Sequence, residues 1–165
     1  MKKLILVRHA TSALPNMPME DYDRPLKKNG IEDSKQIGQY LKAKQYIPDY
    51  IITSGAKRTL ETADNISKQL FNQSIPINKN RIIYGASIIE MIELIHNFNN
   101  QYNIAMIVGH NPTMTLLNNK ITNVTFDHIP TAGTSIINYK INRWNELNRE
   151  GELVEFINPK KLQQL

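Results

Sequence analysis

The sequence predicts an α/β fold: a three-layer sandwich with a mostly parallel central sheet and helices on both of its faces. Two observations carry this. Short, wholly apolar runs such as Leu4–Val7 and Ile104–Val108 alternate with longer segments whose apolar residues recur every three or four positions. Unbroken apolar runs suit strands covered on both sides, which is the condition inside a parallel sheet layered between helices.

Taken in order, Leu4–Val7 reads as the first buried strand. Residues 29–45 read as a helix, with Ile31, Ser34, Ile37, Gly38 and Leu41 near one face. Tyr50–Thr53 is a second short strand, and residues 56–71 a second helix with Leu60, Ala63, Ile66 and Leu70 in helical spacing. A short strand is expected at 81–84. Residues 88–98 repeat the helical pattern, with Ile88, Met91, Ile92, Ile95 and Phe98. Ile104–Val108 is a third buried strand, and Met114, Leu117 and Ile121 mark a short helix after it. Thr134–Ile141 and Leu153–Ile157 read as late strands. Between the first strand and the first helix, Thr11–Lys28 holds Pro15, Pro18 and Pro25 without apolar period, the pattern of a long functional loop.

At 165 residues the chain fits one domain, 1–165. No run approaches the length of a membrane span, and the apolar stretch after Lys2 and Lys3 is too short for a signal peptide, so a cytoplasmic protein is expected. The absence of cysteine agrees, and it excludes disulfides, thiolate metal sites and cysteine nucleophiles. Twenty basic against 15 acidic residues give a net charge of +5. That mild excess favours anionic partners. No dense Lys/Arg run is interleaved with aromatics, which argues against nucleic acid.

Polar clusters follow the three best strands. They are Arg8-His9, then Ser54-Gly55-Ala56-Lys57-Arg58, then Gly109-His110-Asn111-Pro112. Ligands of open α/β sheets bind outside the carboxyl ends of the strands. Chain order therefore brings two arginines and two histidines to one edge, with helix N-termini close behind. Such a pocket suits a dianionic phosphoryl group. Taken singly, each residue has a plain reading: an arginine at a loop start, or a structural histidine such as His96 or His128. The functional reading of His9 and His110 rests on their joint placement with the arginines.

These segments also resemble a known family. Leu6-Val7-Arg8-His9-Ala10 resembles the R-H-G signature of the histidine phosphatase superfamily. The segment from Ser54 to Ala63 is similar to its S-x-x-x-R-[AT]-x-[EQ]-T-A stretch. Val108-Gly109-His110-Asn111-Pro112 resembles its second-histidine motif, and Pro130-Thr131-Ala132-Gly133 its late loop before a strand. Asp21-Tyr22-Asp23-Arg24-Pro25-Leu26, with Gly30 beyond it, resembles a segment of the SixA-type branch. Ala10 departs from the usual glycine, which negative φ would permit. Lys27 stands where Ser or Thr usually follows Pro-Leu.

The resemblance implies a phosphoglycerate mutase-like fold, and one histidine phosphatase domain over 1–165. It implies a phosphohistidine phosphatase in which His9 attacks phosphorus and water then hydrolyses the phosphohistidine. Arg8, Arg58 and His110 would stabilise the transferring group. Ser12, Asp21, Arg24, Thr131 and Ala132 would contact the substrate. No metal or cofactor is implied. Charge stabilisation by paired guanidinium donors suits a phosphoryl group that spreads charge over its oxygens.

A general acid is the open position. Superfamily members acting on phosphoesters usually carry a carboxylate between the second arginine and second histidine, and Glu90 is the nearest candidate. Ser87-Ile88-Ile89-Glu90 also fits a helix capping box. Asp21 and Asp23 are the alternatives from the long loop, where they read equally as solvated turn residues. A weak acid matters less for a P–N bond, because imidazole leaves as a far weaker base than an alkoxide. A chain this short has no large insertion to enclose a metabolite. An open site suits a phosphorylated protein partner, such as a histidine phosphotransfer domain in signal transduction. Two other readings stand: a small-molecule phosphomonoesterase of the same superfamily, and a non-catalytic regulator that binds phosphate or phosphohistidine. Neither membrane nor nucleic acid is expected as a partner.

Overall fold

The first apolar run forms strand β1 (Lys2–Arg8), and the rest of the sheet is built outward from it. The computed structural model describes residues 1–15, 18–72 and 75–165. After β1 come α1 (Lys28–Ala43), β2 (Tyr50–Thr53), α2 (Lys57–Leu70), β3 (Ile77–Lys79), α3 (Ile88–His96) and β4 (Ile104–Gly109). They are followed by α4 (Thr113–Ile121), β5 (Thr134–Tyr139), β6 (Glu152–Ile157) and α5 (Pro159–Leu162).

The sheet order is β3-β2-β4-β1-β5-β6. From β3 to β1 all neighbours are parallel. Strand β5 runs antiparallel to both β1 and β6. Sheet and helices thus form the mostly parallel sandwich that the apolar runs predict.

Alternation along the strands assigns the helices to faces. Leu4 and Leu6 of β1 join Ala105 and Ile107 of β4 against Met91 and Ile95 of α3 and Met114, Leu117 and Ile121 of α4. Ile5 and Val7 join Met106 and Val108 on the other face, against Ile37 and Leu41 of α1 and Ala63, Ile66 and Leu70 of α2. Successive side chains of a strand point to opposite faces, so an apolar run without polar interruption supplies two cores at once.

Two expectations need correcting. The strand expected at 81–84 is a 3₁₀ turn at Arg81–Ile83, and the edge strand β3 lies earlier. The side chain of Asn80 accepts the N–H of Ile82 at 3.0 Å. That local bond closes a turn in place of a ladder. The last strand pair also ends sooner than expected, with β5 stopping at Tyr139 rather than 141.

The long segment 11–28 is an ordered fold-back wherever it is described; positions 16–17 lie outside the described residues. Ser12 and Leu26 form an antiparallel bridge. Ala13 donates to Pro25 at 2.8 Å and Lys27 to Thr11 at 2.9 Å. Asp21–Asp23 makes a 3₁₀ turn at its tip. Gly30, in the first turn of α1, sits against this bridge. A methyl group there would overlap the Thr11 carbonyl oxygen, so only glycine allows the approach.

Candidate active site

The carboxyl ends of β2, β4 and β1 lie side by side, and each delivers one polar cluster. His9, directly after β1, is only 8% exposed. Its backbone N–H donates to Gly109 at 3.0 Å, tying the end of β1 to the end of β4. Its ring Nδ1 lies 2.8 Å from the Ala10 carbonyl. A carbonyl only accepts, so Nδ1 carries the proton and Nε2 keeps the lone pair. Burial pushes the His9 pKa down to about 4; the Ala10 bond opposes this, and the cations Arg58, Arg8 and Arg24 lower it further. At neutral pH the imidazole is therefore uncharged. Ala10 keeps negative φ, so its methyl group brings no backbone strain.

Arg58 lies in the first turn of α2 and is 5% exposed. Its Nη1 donates to the backbone carbonyl of Asp21 at 2.7 Å, and its Nη2 to Asp21 Oδ2 at 3.1 Å. Arg8 donates from Nη1 to the Ile129 carbonyl at 2.9 Å and meets His128 Nε2 at 3.0 Å. His110, after β4, places Nε2 2.8 Å from Ser54 Oγ. Its ring centre is 5.4 Å from that of His9 and 5.3 Å from that of Tyr84. Burial, then Arg58 and His9, push the His110 pKa down to about 3, with Asp21 opposing.

Three buried nitrogens in this cluster have no hydrogen-bond partner among the described residues: Arg8 Nε, Arg58 Nε and His110 Nδ1. Buried polar atoms without partners are rare in native proteins and call for a cause. The outer edges of both guanidinium groups are engaged by protein, while each Nε–H is left free. An anion bound among these groups would supply the missing acceptors. The neighbouring cleft, about 500 Å³, is lined by Asp21, Arg58, Tyr84, His110, Asn111 and Pro112. Among the described residues, no three His, Asp or Glu side chains converge as a metal ion requires.

Residues 4–80 match the model of the histidine phosphatase superfamily, branch 1. A structure from Agrobacterium tumefaciens, assigned as the phosphohistidine phosphatase SixA, superposes with a TM-score of 0.79 at 26% identity. The match covers 96% of this chain and 98% of that one. This chain belongs to the histidine phosphatase superfamily. Its fold is that of the SixA-type branch. A Mycobacterium tuberculosis protein is 31% identical over 111 residues, 67% of this chain and 66% of that one. A chloroplast protein of Arabidopsis thaliana is 38% identical over 69 residues, 42% of this chain and 32% of that one. The matches thus span about a third to two thirds of these relatives' own lengths.

Within this superfamily member, the remaining predicted residues fall into two groups. Asp21 and Arg24 flank the cluster: Arg24 Nε donates to Asp21 Oδ1 at 2.9 Å, and its Nη1 reaches Ser12 Oγ at 3.2 Å. Thr131 is turned to Thr11, with hydroxyls 3.2 Å apart. The backbone N–H of Ala132 is shared between the carbonyls of Arg8 and His9 at 3.1 Å each, at a φ of 59°. That amide braces the backbone of Arg8 and His9. Glu90 closes a complete capping box with Ser87, at 2.8 and 3.2 Å. Its carboxylate is bound to its own helix start.

Asp21 is held ionised. The hydroxyl of Tyr84 donates to Oδ2, and with Arg58 and Arg24 it brings the carboxyl pKa down to about 2. Three partners had no contact assigned to them from the sequence, although Thr62 lies in the segment from Ser54 to Ala63. His128 reads as structural there, yet it accepts a hydrogen bond from Arg8, since a guanidinium can only donate. Thr62 Oγ1 takes the N–H of Ala10 at 3.0 Å. Tyr84 carries no sequence signal at all. Ser54 had one, as the first residue of the cluster after β2.

Proposed function

We propose that this chain is a metal-independent phosphohistidine phosphatase, acting through a phosphoryl group carried on Nε2 of His9. The observation behind this reading is the trio of unpartnered nitrogens on Arg8, Arg58 and His110 beside a His9 whose other nitrogen is already engaged. In the first step the His9 lone pair forms a bond to phosphorus as the donor's P–N bond breaks. The donor imidazole, protonated at its distal nitrogen, departs neutral. In the second, water attacks phosphorus and the P–Nε2 bond returns its electrons to His9. Because Nδ1 keeps its proton on the Ala10 carbonyl, His9 also leaves as a neutral ring. Arg8 and Arg58 stabilise the charge on the equatorial oxygens in both steps.

A P–N donor is favoured because the two leading candidate carboxyls, Glu90 and Asp21, do not suit the work of an acid. Glu90 is bound in its cap and Asp21 holds no proton at neutral pH. Loss of a neutral imidazole needs no proton donor. We take the donor to be a phosphohistidine on a cytoplasmic protein such as a histidine phosphotransfer domain, and residues 1–165 to act as one domain.

The test measures phosphate release from a phosphorylated phosphotransfer protein and from p-nitrophenyl phosphate, with wild type and His9→Ala. Release from the protein substrate, its loss in His9→Ala and an alkali-stable, acid-labile phosphoenzyme are expected. Faster turnover of the ester, or an unimpaired His9→Ala, overturns the reading.

A further inference from the structure

The proton inventory around His110 singles out Ser54. A neutral imidazole offers one N–H, and Nδ1 is the nitrogen of His110 that no protein group meets. To present that N–H to an oxyanion, the ring must accept a hydrogen bond at Nε2. Among the described residues, the partner of Nε2 is the Ser54 hydroxyl at 2.8 Å. Ser54 is fully buried. Its Oγ accepts the N–H of Ala56 at 3.1 Å and lies 3.0 Å from Thr59 Oγ1. If Thr59 donates to Ser54, the serine oxygen has both lone pairs filled and its one proton is directed to His110. If Thr59 instead donates to the Ala56 carbonyl at 2.7 Å, Ser54 donates to Thr59 and His110 carries its proton on Nε2. Two hydroxyl rotations therefore select between the two tautomers of His110.

We propose that Ser54 is a positioning residue that fixes His110 as the Nδ1–H tautomer when an oxyanion occupies the site, so that a neutral His110 donates to it. The inference rests on the phosphatase reading above and adds the mechanism by which an uncharged His110 serves as a donor. Burial keeps the ring uncharged, which makes the tautomer decisive. The groups facing the ring are Arg58 from α2, His9 from the end of β1, Asp21 and Arg24 from the long loop, and Tyr84. The Ser54 hydroxyl is the one that meets Nε2.

The experiment is ¹⁵N NMR of the histidine side chains at neutral pH, on wild type, Ser54→Ala and Ser54→Thr, each with and without orthovanadate. In vanadate-bound wild type, His110 should show a protonated Nδ1 and a bare Nε2. Ser54→Ala should lose that pattern and about tenfold in turnover, and Ser54→Thr, which keeps the hydroxyl, should recover the tautomer. Vanadate-bound wild type with the proton on Nε2 overturns the proposal, whatever the variants do. Vanadate that shifts neither His9 nor His110 overturns the phosphatase reading itself, so the two failures are separable.

Discussion

Oδ2 of Asp21 lies 3.1 Å from Nη2 of Arg58, and Nη1 of the same arginine reaches the Asp21 backbone carbonyl at 2.7 Å. One residue of the long loop thus grips the outer edge of the guanidinium twice and leaves the Nε–H aimed elsewhere. This geometry makes Asp21 an anchor for Arg58. It removes Asp21 from the role of acid, because a carboxylate held to a pKa of about 2 has no proton to give.

Asp21→Asn follows from that relationship. An acid's removal would slow ester substrates and spare P–N substrates. Loss of an anchor slows both alike. Steady-state rates on the two substrate types should fall together, by about tenfold, the usual scale for one charge-assisted hydrogen bond. A selective loss of ester turnover would return Asp21 to the acid's place.

Acid sensitivity follows from the two histidines. Both are buried neutral, His9 with a pKa pushed down to about 4 and His110 to about 3, against an unfolded value of about 6.5. The unfolded chain binds more protons between those values, so stability falls as pH drops through that window. Each histidine contributes at most about 1.4 kcal/mol per pH unit. Denaturant melts between pH 7 and 4 should show this slope, and His110→Asn should flatten it.

Glu90→Ala separates the cap from the chemistry. Loss of the reciprocal bond to Ser87 should cost about 1 kcal/mol in thermal or denaturant unfolding. Turnover of a phosphohistidine substrate should stay within about twofold of wild type. A large catalytic loss without a stability change would mean that Glu90 leaves its cap to reach the substrate.

Position 27 offers the opposite change. Lys27 is the N-cap of α1 and makes no side-chain cap bond. Lys27→Ser should raise stability by about 0.5–1 kcal/mol, measured by denaturant unfolding. An unchanged or lowered midpoint would mean that the helix start is satisfied by other means.

Much of this molecule could be read from its residues in order. The unbroken runs at Leu4–Val7 and Ile104–Val108 specify strands with two buried faces, because each face needs every second residue apolar. Arg8, His9, Arg58 and His110 were legible because each lies in a polar cluster at the end of a predicted strand, and parallel strands bring their carboxyl ends to one edge. The edge strand was misplaced because the bond of Asn80 to Ile82 is a local competition that apolar spacing does not register.

The sequence by itself determined the layers, the edge where the polar clusters meet and the residue types available for chemistry, since these depend on periodicity and chain order. Only the tertiary structure decided the protonation pattern: Nδ1 of His9 on the Ala10 carbonyl, Nε2 of His110 on Ser54, Asp21 ionised on Arg58 and Tyr84, and His128 against Arg8. His9 is set by burial and its chain neighbour Ala10, but the other partners lie 37 to 120 positions apart, a proximity invisible to any local pattern.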